Sequence, residues 1–362
     1  MPTLPDTGTT EAGAAGAAQR KVVLVCGSGR SGTSTVVGIL QKLGMHVPQP
    51  EVVPDQTNPK GFGEPRWVVD FHNELLRRLV VEVSDARPQA WFETARMSAR
   101  EPVRERARSW LASELDGPDD VIIKDPRLSW FLGLWDVAAL RCDASARYLT
   151  MLRPPAEVVA SKERAYAGPA PTANRTAAWI NMMLHTERAT RSGRRTFVRY
   201  HDLLDDWTSS VFRIGDSLGL DVVRTAPVHN VGTVHSFVDP SLRRVRSSWD
   251  DVELPASVRD LAEQTWGELT KLAEPDGDVP TVHVALDALR EEYVALYQQA
   301  EAITTSSAIA ARRAGARKAR LDLQRAAAEP RSNTDHPAEP SRGLKALVPQ
   351  RLRAMPGRWR RT

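Results

Sequence analysis

A short glycine-rich segment, KVVLVCGSGRSGTST at residues 21–35, carries the residue types best suited to chemistry. An apolar run leads into glycines at positions 27, 29 and 32, and the hydroxyl residues Thr33, Ser34 and Thr35 follow. Glycines let the backbone turn around an anion, which the first N–H groups and the dipole of a following helix attract. The order of strand, loop and helix therefore predicts a phosphate-binding loop.

Two general kinds of nucleotide site are compatible with this loop. The glycines satisfy G-x-G-x-x-G, but a dinucleotide fold also needs an acidic residue at the end of its second strand. Glu51 lies at that distance along the chain, yet prolines flank it, and proline disfavours a strand. The loop also approaches the P-loop of kinases and NTPases, with Thr33 in place of the lysine that reaches the terminal phosphates.

A third interpretation accounts for Arg30, which stands inside the loop. The pattern G-x-x-R-S-G-T-S resembles the phosphosulfate-binding loop of sulfotransferases that use 3′-phosphoadenosine-5′-phosphosulfate (PAPS), a family that needs no metal. The resemblance implies that Arg30 contacts the 5′-phosphate and the bridging oxygen that leaves. It also implies a cradle of backbone N–H groups and hydroxyls, with the cofactor-binding set Gly29, Arg30, Ser31, Gly32, Thr33 and Ser34.

A second segment, YLTMLRPPAEVVASKERAY at residues 148–166, resembles the other half of that family's cofactor site. Arg153 ends a predicted strand, and Ser161 follows eight residues later in a predicted helix. The resemblance implies that both bind the 3′-phosphate, and a guanidinium fork with an added hydroxyl suits a phosphate. Pro154 replaces the aspartate that is commoner in the family, and proline is compatible with the first turn of a helix.

Two further segments resemble the family more loosely. FVRYHDLL, at residues 197–204, has His201 in place of the usual glutamate and implies that Tyr200 lies against the adenine, although a core tyrosine fits the pattern too. FVDPSLRR, at residues 237–244, would bring Arg243 or Arg244 towards the 3′-phosphate unless the pair is simply solvated. The resemblance as a whole covers residues 21–246.

Sulfuryl transfer also needs a base for the proton of the acceptor. The segment NPKGFGEPRW, at residues 58–67, resembles the Gly-aromatic-x-Glu segment of many carbohydrate-type and bacterial members, and it predicts Glu64 as that base. A glutamate that merely stabilises a helix N-terminus is the alternative. His72 is a second candidate base, although it lies inside a helical pattern.

The segment VIIKDPRLSWF, at residues 121–131, places charged residues directly after a predicted buried strand. Ligands of open α/β sheets bind outside the carboxyl ends of the strands. Lys124 is therefore a catalytic candidate that would contact a sulfuryl oxygen, and Arg127 would hold the acceptor or the cofactor. An ion-pair cluster around Asp125 with a purely structural role is the alternative.

The elements that must position these residues alternate along the chain. Short apolar runs predict strands at 22–26, 121–123, 147–152 and 196–200. Helical periodicity predicts helices at 33–43, 67–81, 102–115, 156–166, 173–191 and 209–218. This order predicts an α/β fold of three layers around a mostly parallel central sheet, similar to that of the P-loop NTPases, with a helical C-terminal extension.

The composition of the chain argues against several classes of protein. The 362 residues carry a formal net charge of +4, too small to predict nucleic-acid binding, and no recognition module for nucleic acid is evident. The two cysteines predict buried thiols in a reducing compartment and are too few for a disulfide framework. Neither a signal peptide nor an apolar run long enough to span a membrane is found, so we expect a cytoplasmic protein.

The chain is predicted to have four regions: a disordered lead at 1–20, a sulfotransferase domain at 21–280, a helical extension at 281–328, and a linker with a basic tail at 329–362. Residues 286–303 form a short heptad-like seam, which favours either a packed terminal helix or a homo-oligomeric coiled coil. The tail would remain solvated or make a peripheral contact with the anionic inner face of a membrane.

These patterns together predict transfer of a sulfuryl group from PAPS to a hydroxyl of a carbohydrate, glycolipid or related acceptor. The acceptor class is implied by the family's bacterial members, since no residue pattern here identifies it. The alternatives are a P-loop kinase or NTPase, and a non-catalytic scaffold that acts through its C-terminal helix.

Overall fold

The central sheet is built from four strands. The computed structural model describes residues 20–118, 120–166, 170–239, 247–251 and 253–328. Within these ranges the strands are β1 (Arg20–Cys26), β2 (Asp120–Lys124), β3 (Ala144–Leu152) and β4 (Arg194–Arg199). All pairs are parallel, and the order across the sheet is β2-β1-β3-β4. The predicted α/β fold with a central parallel sheet is confirmed.

Helices cover both faces of this sheet. The first six are α1 (Thr33–Lys42), α2 (Arg66–Leu79), α3 (Ala90–Ser98), α4 (Glu101–Glu114), α5 (Leu132–Leu140) and α6 (Pro155–Ala165). They are followed by α7 (Thr172–Thr190), α8 (Tyr200–Asp205), α9 (Trp207–Leu218), α10 (Asp221–Arg224), α11 (Val228–Phe237), α12 (Ala256–Lys271) and α13 (Pro280–Ala328). In the part of the chain that the structure describes, short 3₁₀ turns span Leu128–Phe131 and Trp249–Asp251.

Strand β1 explains the layered arrangement, because it is apolar on both faces. Val22 and Leu24 pack in a core cluster with residues of α2, α4 and α5. Val23 and Val25 point to the opposite face and pack with residues of α1, α8 and α9. A strand that is buried on both sides reads as a continuous apolar run, which is the pattern that the sequence shows.

The chain divides into two compact units, the first ending at Ala302 and the second beginning at Ile303. Helix α13 runs through this boundary. Within the first unit, Leu286, Leu289 and Tyr293 of α13 are buried in a third core cluster with residues of α7 and α12. These positions of the predicted seam are therefore already packed against other helices of the same chain. Among the described helices, none combines the length and the apolar character needed to cross a membrane.

The register of the sheet brings the candidate segments to one edge. Val25 of β1 lies opposite Lys124 of β2, and Cys26 lies opposite Thr150 of β3. The loops that follow these three strands consequently start side by side at the carboxyl edge. Since β1 has β2 on one side and β3 on the other, its loop opens into the crevice where ligands of such sheets bind.

Candidate active site

The loop between β1 and α1 contains backbone conformations that residues other than glycine rarely adopt. Gly27, Arg30 and Gly32 all have positive φ angles, of 124°, 75° and 89°. A Cβ at residue 32 would lie 2.1 Å from Cδ2 of Tyr200, so only glycine fits there. The left-handed backbone conformation of Arg30 costs free energy, because residues with a side chain rarely adopt it. Backbone strain of this kind is found most often at functional sites.

The N-terminus of α1 presents backbone donors to a cavity. Helix α1 has no side-chain cap, and within the described residues the N–H groups of Gly32, Thr33 and Ser34 have no acceptor. All three residues line a cavity of about 810 Å³, together with Gly29 and Arg30. Three unpaired donors at the positive end of a helix form a cradle for an anion.

Ser31 differs from the other members of the predicted loop. Its N–H donates to the carbonyl oxygen of Ser28 at 3.1 Å, and the residue is buried outside the cavity lining. The hydrogen bond closes the turn that aims the next three N–H groups. Ser31 therefore supports the loop conformation, while the donors that face the cavity come from residues 32–34.

The two segments that resemble the cofactor site meet at this loop. Nε of Arg30 donates to Oγ of Ser161 at 3.2 Å, and Nη1 of Arg153 donates to the carbonyl oxygen of Arg30 at 3.0 Å. Nε of Arg153 also donates to Oε2 of Glu157, one helical turn further on, at 2.9 Å. Residues that are more than a hundred positions apart in sequence thus form one charged cluster on the cavity wall.

Tyr200 lies beside this cluster and is almost fully buried. Its ring packs on Gly32, and the guanidinium carbon of Arg153 lies 5.2 Å from the ring centroid. The residue starts α8 rather than ending a strand, because β4 stops at Arg199. Tyr200 lines the cavity, where a bound adenine could reach it. The contact itself remains a prediction. Arg243 and Arg244, the other loosely predicted contacts, lie outside the described residues.

Glu64 and Lys124 form a buried ion pair on the cavity wall. Nζ of Lys124 donates to Oε1 of Glu64 at 2.5 Å, to Oγ of Ser34 at 3.2 Å and to the carbonyl oxygen of Phe62 at 3.1 Å. These three contacts use all three ammonium donors. Burial raises the pKa of Glu64 above its ordinary value, and the charge of Lys124 partly opposes that rise. Oε2 of Glu64 has no protein partner among the described residues.

His72 is held in a buried network away from the cavity lining. The indole Nε1 of Trp135 donates to Nε2 of His72 at 2.9 Å, so the ring proton lies on Nδ1. Nδ1 donates in turn to Oδ2 of Asp125 at 2.6 Å. Both ring nitrogens are therefore engaged, and the structure does not bring this second candidate base to the site.

Asp125 joins that network to the cavity wall. Its Oδ1 accepts from Nη1 of Arg127 at 2.6 Å, and Arg127 lines the cavity. Burial acts to raise the pKa of Asp125, but the hydrogen bond from His72 and the charge of Arg127 bring it below its ordinary value. The carboxylate therefore stays ionised and fixes the orientation of the Arg127 guanidinium.

A buried lysine that the sequence patterns did not single out also lines the cavity. Lys162 follows Ser161 in α6, is 6% exposed, and donates from Nζ to Oγ of Ser84 at 3.0 Å. Burial, with the nearby charge of Arg175, lowers its pKa to about 8. The sequence carries no signal that would single this lysine out, since the charged residues Glu163 and Arg164 follow it directly in the helix. Within the described ranges, no group of three or more His, Cys, Asp or Glu side chains is arranged to hold a metal ion.

Several solved structures with partial similarity to this chain are sulfotransferases. The sulfotransferase domain of the olefin synthase from Synechococcus PCC 7002 is 18% identical, with a TM-score of 0.42, over 70% of this chain and 95% of that one. The sulfotransferase domain from the curacin biosynthetic pathway is 15% identical, with a TM-score of 0.40, over 69% and 98%. A sulfotransferase from Mycobacterium tuberculosis H37Rv is 16% identical, with a TM-score of 0.32, over 61% and 76%.

No protein-family model and no curated protein matches the chain. Similarities to solved structures at this level of identity and superposition do not identify an activity. The assignment of function consequently depends on the geometry of the cavity and on the residues that line it.

Proposed function

We propose that this protein is a PAPS-dependent sulfotransferase that acts on a hydroxyl of a carbohydrate, glycolipid or related acceptor. The observation that carries the proposal is the contact between the two cofactor-like segments. Arg30 of the loop bonds to Ser161, and Arg153 bonds to the backbone of Arg30, so both halves of the expected donor site line one cavity. A surface salt bridge at Arg153 would not produce this arrangement.

The cavity suits the donor in size and charge. Its volume of about 810 Å³ lies within the range of small-molecule sites, roughly 300–1,000 Å³. The 5′-phosphate would be held by Arg30 and the N–H groups at the start of α1, and the 3′-phosphate by Arg153 and Ser161. When bound, PAPS supplies the activated sulfuryl group. The unpaired N–H groups of Gly32, Thr33 and Ser34 support this fit, since they line the cavity and are available to an anion that binds there.

The residues of the chain divide into two roles in this proposal. Arg30 and the N-terminus of α1 are fixed in advance where negative charge develops on the leaving phosphate, which is an effective form of electrostatic stabilisation. Glu64 accepts the proton of the acceptor hydroxyl through Oε2, while Lys124 holds Oε1 and fixes the carboxylate. Its raised pKa makes Glu64 a stronger base than an exposed glutamate.

Three features outside the cavity belong to the same proposal. The catalytic domain would comprise residues 21–280, and exposed positions of the 286–303 seam would allow homo-oligomers. The basic tail within 329–362, which lies outside the described residues, would contact an anionic surface on the cytoplasmic face of a membrane. The first of these is supported by the fact that each residue proposed for catalysis or donor binding lies between residues 29 and 200.

Transfer of ³⁵S from labelled PAPS into an extract of the cells that make the protein tests the proposed reaction. We expect a labelled product with the wild-type protein, and a loss of about 10²–10⁴-fold in rate with Glu64→Gln, the usual range for a general base. The affinity for PAP, the desulfated donor, should change by less than about twofold in that variant. Equal rates for Glu64→Gln and wild type would reject Glu64 as the base, and no transfer with any extract would reject the reaction.

A further inference from the structure

Lys162 is a buried cation that the proposed donor site and base do not use. Its ammonium group has one protein partner within the described residues, Oγ of Ser84, so two of its three donors have none. No described carboxylate pairs with it. An ammonium group that is removed from water without a counter-charge is costly, and proteins seldom keep one without a ligand or a chemical role.

Lys162 lies in a part of the cavity that combines positive charge with apolar side chains. Arg175 of α7 also lines the cavity and is close enough for its charge to act on Lys162, and the lining includes the apolar residues Val83, next to Ser84 in sequence, and Met182. Glu82, an acidic residue close to Ser84 in sequence, is exposed and forms no ion pair with Lys162. Two cations in a partly apolar pocket favour an anion, because a low local dielectric strengthens the interaction.

This part of the cavity is separate from the region assigned to the donor phosphates. Ser161 faces the glycine loop through its bond to Arg30, whereas Lys162 bonds to Ser84, in the segment between α2 and α3. Successive residues of a helix point about 100° apart, so neighbours on α6 serve different sides of the cavity.

We propose that the part of the cavity around Lys162 binds an anionic group of the sulfuryl acceptor, such as a carboxylate, sulfate or phosphate. The inference rests on the proposed sulfotransferase function. Lys162 would donate to the anion with its two remaining N–H groups, and Arg175 would add charge from α7. The acceptor class narrows accordingly, from any hydroxyl compound to one that already carries a negative group away from the reacting hydroxyl.

Calorimetric titration of inorganic phosphate into the full-length protein saturated with PAP tests this inference. With the donor phosphate sites filled by PAP, we expect one phosphate to bind to wild type at millimolar concentration or below. Lys162→Met should weaken that binding by at least about tenfold, as expected for loss of a charged hydrogen bond, and Lys162→Arg should retain it. Arg164→Met removes a charge from an exposed position on the same helix and should leave it unchanged.

A separate titration of PAP into each variant keeps the two proposals apart. PAP affinity should be the same in wild type and Lys162→Met. Equal phosphate binding in those two proteins would overturn the inference, and so would a loss of PAP affinity in Lys162→Met, because the lysine would then belong to the donor site. Lys162-dependent phosphate binding in a protein that does not bind PAP would support the anion site while overturning the PAPS assignment.

Discussion

Replacing Lys162 with methionine should stabilise the unliganded protein. Lys162 is buried with one neutral partner, the hydroxyl of Ser84, so its charge is poorly compensated when no ligand is present. Methionine has a similar length and no charge, and it would extend the apolar wall formed by Val83 and Met182. A substitution that removes a proposed binding group would therefore raise the free energy of unfolding.

The size of the effect follows from the pKa of Lys162. Burial lowers that pKa from its ordinary 10.5 to about 8. At about 1.4 kcal/mol for each tenfold change in the proton equilibrium, the folded state disfavours the charged form by ~3 kcal/mol. Loss of the hydrogen bond to Ser84 offsets about 1 kcal/mol of this. The net gain for Lys162→Met at pH 7 is then ~2 kcal/mol.

The gain should disappear as the pH rises. The pKa of Lys162 is lower in the folded than in the unfolded state, so its favourable contribution is complete above 10.5 and is lost as the pH falls through about 8. Raising the pH from 7 towards 10 therefore stabilises the wild type relative to Lys162→Met. The difference between the two proteins should stay nearly constant below about pH 8 and shrink between about pH 8 and 10.5.

Urea denaturation followed by tryptophan fluorescence at pH 7 and pH 9.5 measures both effects. Arg164→Met is the matched control and should stay within about 0.5 kcal/mol of wild type, as surface substitutions usually do. A Lys162→Met protein that is less stable than wild type at pH 7 would refute the reasoning, since it would show that the ammonium group is well compensated. A stability difference that does not change with pH would refute the lowered pKa.

Two further substitutions test the loop and the base. In Gly32→Ala the new Cβ would lie 2.1 Å from the Tyr200 ring at a φ of 89°, so we expect at least about 2 kcal/mol of destabilisation by the same denaturation assay. A wild-type midpoint would contradict that close packing. Lys124→Met removes a charge that lowers the pKa of Glu64, so that pKa rises and the acid limb of the pH–rate profile of ³⁵S transfer should move to higher pH. An unchanged limb would count against Glu64 as the base.

The sheet and its ligand loop were predictable because their signals are local. Strands buried on both faces are short apolar runs, and two of the three positive φ angles of the loop fall on glycines, Gly27 and Gly32, so both features are visible in a single stretch of sequence. Strand β3 begins at Ala144, earlier than its predicted start at 147, because a half-buried strand end lacks the apolar signal. Element ends are generally less well determined by sequence than element cores.

Helices α3, α5, α8, α10, α11 and α12 were not predicted, and α3 and α5 show the reasons. Helix α5 is apolar on nearly all sides, so it has no 3.6-residue pattern that would distinguish it from a strand or a loop. Helix α3 has nine residues and follows a proline-containing turn, which makes its periodicity too short to detect. In both cases tertiary packing, rather than local preference, determines the structure.

The side-chain contacts of the site were only partly predictable. The loop, Arg153 and Ser161 could be named from their patterns, but the bonds that join them link residues more than a hundred positions apart. The same limit applies to His72, whose engagement by Trp135 and Asp125 depends on how α2 packs. The burial of Lys162 could not be predicted from the sequence, because a lysine within a helix usually lies on the solvated face.

Titration of PAP into the wild-type protein and its Arg30→Ala and Ser161→Ala variants tests the central claim most directly. We expect one PAP per chain, and a loss of at least about tenfold in affinity for each variant. The double variant should lose less than the sum, because Nε of Arg30 and Oγ of Ser161 interact directly. Arg164→Ala should bind PAP as wild type does. Failure of wild type to bind PAP, equal binding by Arg30→Ala, or preferential binding of ATP with Mg²⁺ would contradict the assignment.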